Sequence, residues 1–181
     1  MKRTVAILVA GLVAIAVGGV ALAGLNNNSS IHLTGDFENP PNASKGQGQA
    51  TFHIAEDGQS VDYRLIGSNI ENVTQAHIHC GGPTVNGPVV VFLYPNVTGP
   101  ALPPGGGRHD GVLAAGTFTD ANVIDRPPST ACPGGVDDLA DVIDLLQNGG
   151  GYVNVHTDLD GPPATNTPGD IPAGEIRGNT P

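Results

Sequence analysis

In the stretch AHIHCG, His77 and His79 stand two residues apart with Cys80 directly after them. Imidazole nitrogen and thiolate sulfur both bind late first-row metals. Two histidines at i and i+2 of a strand share one face, about 7 Å apart at the Cα. A third histidine, His156, closes YVNVH on the same alternation. In Thr74–His79 the apolar Ala76 and Ile78 belong to a core, so Gln75, His77 and His79 share the outer face. In Tyr152–His156, Val153 and Val155 point inward, which leaves Tyr152, Asn154 and His156 outward. Three neutral imidazoles converging from neighbouring strands form a three-nitrogen site that suits Cu(II), the ion that outcompetes other divalent first-row metals at nitrogen ligands. The rival reading is an ordinary polar strand face, and His32 and His53 are read that way. His109, in GGGRHDG, is read the same way; it offers a fourth nitrogen but is not placed in the set. No G-x-S-x-G, H-E-x-x-H or P-loop pattern occurs, so no catalytic residue is assigned.

The compartment bears on Cys80. Lys2 and Arg3 precede an uncharged apolar run from Thr4 to Leu25 that contains Ala21-Leu22-Ala23, a small-x-small cleavage pattern. Residues 1–23 therefore read as an export signal, with an uncleaved N-terminal membrane anchor as the alternative. Residues 24–30 read as a polar spacer and 31–181 as one domain outside the cytoplasm. In an oxidising compartment the chain's two cysteines, Cys80 and Cys132, pair by default; the alternative keeps Cys80 as a thiolate ligand beside the histidines. Loss of Lys2 and Arg3 leaves five basic residues against 17 acidic ones, a formal charge of −12. Such a surface repels phosphate backbones and excludes nucleic acid as a partner.

The elements that must position these residues are short strands. Gly and Pro make up almost a quarter of the chain, as in an all-β domain rich in turns. Period-2 runs appear in IHLTGDFE, GQATFHIAEDG, SVDYRLIG and VTQAHIH, with a hairpin turn at Glu56–Gln59. PVVVFLY is apolar on both faces, PNVTGPALPPGGGRHDG reads as an irregular surface loop, and VLAAGTFT, YVNVHT and GEIRG supply the remaining strands. One helix is expected in VDDLADVIDLLQNGG, with Asp137 and Asp138 at its start and Gly149 as its C-cap. About eight strands and one short helix make an antiparallel Greek-key β-sandwich or barrel. Glu175 and Arg177, on one strand face, read as a structural ion pair, and DLDG (Asp158–Gly161) as a turn. Asn42, Asn72 and Asn96 lie in N-x-S/T sequons, which would carry surface glycans in a glycosylating host.

Four stretches in order, GDFENPP (Gly35–Pro41), AHIHCG (Ala76–Gly81), GGYVNVHT (Gly150–Thr157) and GEIRG (Gly174–Gly178), resemble the CHRD (chordin-type) domain family. The resemblance implies an extracellular β-domain without implying one activity; an extracellular protein or glycan is the partner under the interaction-module reading. AHIHCG and YVNVHTDLDG are also similar to the copper motifs of copper-zinc superoxide dismutase, a Greek-key β-barrel. That similarity implies copper ligation by His77, His79 and His156. It departs from the dismutase pattern in having no bridging histidine between Gly81 and Val89 and no cluster of zinc ligands. The expected function is therefore a secreted or cell-surface binding protein with one copper ion. A metal-free interaction module is the alternative, and a superoxide-handling redox enzyme is a further one.

Overall fold

The computed structural model describes residues 27–95 and 106–181; the expected export signal and the Asn96 sequon lie outside the described residues. Eight strands follow one another: β1 (Asn28–Thr34), β2 (Gln47–Ile54), β3 (Val61–Glu71), β4 (Val73–Cys80), β5 (Val89–Tyr94), β6 (Arg108–Phe118), β7 (Gly151–Thr157) and β8 (Ile176–Asn179). All pair antiparallel in one sheet of order β5-β4-β7-β8-β1-β2-β3-β6. The edge strands β5 and β6 approach each other, and the Tyr63 hydroxyl of β3 donates to the Leu93 carbonyl of β5 at 2.8 Å. The sheet thus curls into a nearly closed barrel. Read across that seam, β7-β4-β5-β6 is a Greek key, in keeping with the expected class.

The alternation read from the sequence sets the interior. Leu33, Val61, Leu65, Ala76, Ile78, Val91, Leu93 and Val153 are fully buried, with Phe52 and Phe118 packed edge to face among them. Gly178 marks the closest approach of β8 to β1, where a Cβ would lie 2.4 Å from the His32 carbonyl oxygen. The helix α1 (Leu139–Asn148) starts where Asp138 caps it, its carboxylate accepting from Asp141 N at 3.1 Å, and ends at Gly149 with φ +90°. Leu139, Val142 and Leu146 join the barrel core.

Two boundaries differ from the expectation. Asn28–Ser30, taken for spacer, already pair with β2. The irregular loop expected through Gly111 ends sooner, because β6 begins at Arg108 and pairs with Glu71 and Ile70 of β3. Asn69 (φ +54°) and Gly111 (φ +127°) flank a bulge there, and the Asp110 carboxylate accepts from Asn69 N at 2.7 Å. Glycine-rich, polar sequence hides such a strand because nothing in it alternates.

Cys80 and Cys132 form a disulfide that ties the end of β4 to the segment before α1. Cys80 is therefore not a thiolate ligand in this fold.

Candidate metal centre

The central strand β4 is paired on both sides, with β5 and β7, so its backbone is satisfied and its side chains fall strictly to two faces. Ala76 and Ile78 enter the barrel. On the opposite face, Gln75 stands across from His156, His77 across from Asn154 and Phe92, and His79 across from Tyr152. The register with β8 sets Arg177 beside Asn154 on that face. The three histidines therefore lie on one side of two adjacent strands, as the alternation predicts.

Most of this face is covered, which corrects the expectation of an outer polar surface. Three connections cover it: the segment after β1 that carries Glu38, the loop from Gly81 to Pro88, and the loop from Asp158 to Gly174. His77 and His79 are only 2 % and 7 % exposed, while His156 remains partly open. The covering connections supply the partners. His79 Nδ1 donates to the Gly87 carbonyl at 2.9 Å, and His156 Nδ1 donates to the Pro172 carbonyl at 2.9 Å. Those bonds assign the proton to Nδ1 in each ring and leave Nε2 unprotonated, able to accept a hydrogen bond or to ligate an ion. His77 Nδ1 lies 3.1 Å from His156 Nε2. Two ligands at about 2.1 Å from one ion are roughly 3.0–3.4 Å apart at cis angles, so that separation suits a shared ion. One nitrogen from each ring lies within 4.8 Å of the others, a group that could hold a metal ion. The Nε2 atoms of His77 and His79 are buried and have no hydrogen-bond partner among the described residues. Unpaired buried polar atoms are costly, and here they belong to residue types that bind metals.

Burial keeps these rings neutral. It pushes His77 down to about 3, with His156 and His79 adding repulsion, and His79 down to about 4 against the opposing Gly87 hydrogen bond. His156 is lowered by the same cause, opposed by its bond to Pro172. Neutral imidazoles with free lone pairs are the ligand form.

Aromatic rings brace the group. Phe92 meets His77 edge-on at 4.5 Å, and Tyr152 stacks on His79 at 4.6 Å with 11° between planes. The Arg177 guanidinium sits 3.4 Å from the Tyr152 ring centroid. The Tyr152 hydroxyl accepts from Gly87 N at 3.0 Å, so one residue, through its N–H and its carbonyl, orients both Tyr152 and His79. A Cβ on Gly87 would fall 1.7 Å from the Cys80 carbonyl oxygen. Only glycine lets the loop approach this closely.

Other expectations change. Glu175 and Arg177 do not pair. Glu175 accepts from Ser44 (2.6 Å), Thr157 (2.6 Å) and Gly169 N (2.7 Å). Arg177 donates to Asn179, Asn86 and the Gly82 and Val85 carbonyls. Glu38, which sequence reasoning passed over, accepts from Asn154 Nδ2 at 2.7 Å, and burial raises its carboxyl to about 7. Asn42 donates to the Glu175 carbonyl, and the 6 %-exposed Asn72 donates to Gly169 O. Both sequon amides are structural rather than free surface acceptors. His109 lies on β6 opposite Ile70 and is not in the histidine group. Asp158, Asp160 and Asp170 come together, but Asp158 closes its own turn onto Gly161 N, and Asp170 accepts from Thr165 and Leu159.

The family model of the CHRD domain matches residues 29–180, from the start of β1 to just past β8. No curated protein and no solved structure matches the chain.

Proposed function

The chain belongs to the CHRD domain family, and from that premise we propose that it is a binding protein outside the cytoplasm that carries one copper ion on His77, His79 and His156. The observation that carries the reading is the pair of carbonyl locks. Gly87 and Pro172 hold the Nδ1 protons of His79 and His156, so both Nε2 atoms are unprotonated, that of His156 directed at His77 Nδ1 at 3.1 Å. Nitrogen donors without carboxylate or thiolate favour copper over the other first-row divalent ions, and copper would supply one-electron chemistry when bound. The chain's own residues do the rest: the carbonyls fix the tautomers, Tyr152 and Phe92 fix the rings, and the loops keep water from two of the three imidazoles. The disulfide and the signal-like residues 1–23 support an oxidising compartment.

Metal analysis of protein purified from its native compartment tests this. About one copper per chain, lost in His156→Ala, is the expected result. No copper in the parent, and none taken up on titration, would return the chain to a metal-free interaction module.

A further inference from the structure

Resting on the copper reading, we propose that the buried Arg177 charge biases the site toward the cuprous ion over the cupric one. Arg177 is 0 % exposed, and among the described residues its hydrogen bonds go to neutral groups: the Asn179 and Asn86 side-chain oxygens at 3.0 and 3.1 Å, and two backbone carbonyls. Among the described residues the one ion pair is Arg108–Asp110, on a different part of the barrel. The guanidinium thus carries its full charge into the stack Arg177–Tyr152–His79. Its carbon lies 3.4 Å from the Tyr152 centroid, which is 4.6 Å from the His79 centroid.

The groups around that stack do not cancel the charge. Arg126, which donates to the Val89 carbonyl at 2.7 Å, adds a second cation acting on His79. Glu38 is the carboxyl facing Arg177, and burial raises it to about 7, so it is protonated in mildly acidic solution. Glu175 accepts from Ser44, Thr157 and Gly169, and among the described residues it makes no ion pair with Arg177. No carboxylate or thiolate is among the three ligands or the acceptors that hold their Nδ1 atoms. Soft sulfur ligands, the usual device for selecting Cu(I), are also missing from the group. Charge is therefore the lever. A cation about 10 Å away, at an effective dielectric near 20, penalises each added unit of charge on an ion by about tenfold. That penalty falls on Cu(II) twice and on Cu(I) once.

Potentiometric titration of the copper-loaded protein near pH 6, with the cupric state followed by electron paramagnetic resonance, reads the effect. Arg177→Gln removes the charge and keeps an amide donor. Asn179→Asp leaves the arginine's partners in place and neutralises it with a carboxylate, which keeps the test alive if Arg177→Gln does not fold. Each folded variant should lower the Cu(I)-to-Cu(II) preference about tenfold, a midpoint about 59 mV more negative for a one-electron couple. A midpoint unchanged or raised in Asn179→Asp overturns the proposal while leaving the copper site standing. A parent protein that takes up copper in neither oxidation state overturns both.

Discussion

At the scale of single residues, the site depends on which ring nitrogen carries a proton. His79 and His156 are fixed by carbonyls that belong to loops, so the strands place the rings and the loops set their chemistry. Gly87→Ala should act through that link. Its new methyl has no room beside the Cys80 carbonyl, so the loop must shift and release His79 Nδ1. Copper affinity should fall by at least tenfold, and the melting temperature by several degrees, whereas Gly82→Ala, which has open space around it, should leave both unchanged. Equal effects of the two substitutions on copper affinity, measured by competition with a chromophoric chelator, would show that the carbonyl lock is not needed. The histidines themselves were legible because Ala76, Ile78, Val153 and Val155 alternate with them. Gly87 and Pro172 were not, since a backbone acceptor leaves no mark on residue type. The sequence pairs Arg177 with Glu175 for a related reason: besides Asn179, its partners are neutral oxygens from a loop some ninety residues earlier.

At the scale of elements, strands with period-2 patterning and the capped helix are legible in the sequence, and β6 in part. Its first half is polar and glycine-rich, and its pairing with β3 is interrupted by bulges that only the partner strand defines. The covering of the histidine face was not legible at all. The connections that do it are rich in Gly, Pro and Asn and carry no periodic signal, so an alternating strand reads as half-exposed when loops in fact bury it. The disulfide links the end of β4 to the segment before α1 across a separation of 52 residues. In the chain-entropy account a loop of that length stabilises the fold by about 4 kcal/mol. Reduction should therefore lower the urea midpoint markedly, and thiol labelling of denatured, non-reduced protein should find no free cysteine. Two labelled cysteines per chain would contradict the pairing.

At the scale of the whole molecule, the buried titratable groups set a pH dependence whose sign can be worked out. Without metal, His77 and His79 stay neutral in the fold down to about pH 3 and 4, because burial penalises their cations. In the unfolded chain they charge near pH 6.5. The unfolded state then binds more protons, so stability is complete above 6.5 and falls as the pH drops below it. His156 acts in the same direction. Glu38 opposes them: burial holds its proton to about pH 7 where the unfolded chain releases it near 4.5. The net difference between pH 6.5 and 4.5 is at least one proton, about 1.4 kcal/mol per pH unit. The metal-free protein should lose about 3 kcal/mol across that span and fall more steeply below it, as read from urea midpoints at each pH; a flat profile would contradict the neutral, buried histidines. Loaded with copper, the protein should turn over superoxide far below the diffusional ceiling of roughly 10⁸–10⁹ M⁻¹s⁻¹, because no bridging histidine follows between Gly81 and Val89. The most direct test of the central claim is calorimetric titration of the metal-free chain with copper, in the parent and in the His77→Ala/His79→Ala variant. One ion per chain in the parent, held through the ordinary histidine range and released only as the pH falls toward the depressed values of His79 and His77, about 4 and 3, and bound at least a hundredfold more weakly in the variant, is the result predicted. Copper affinity unchanged in the double variant would make His77 and His79 an ordinary polar face of β4.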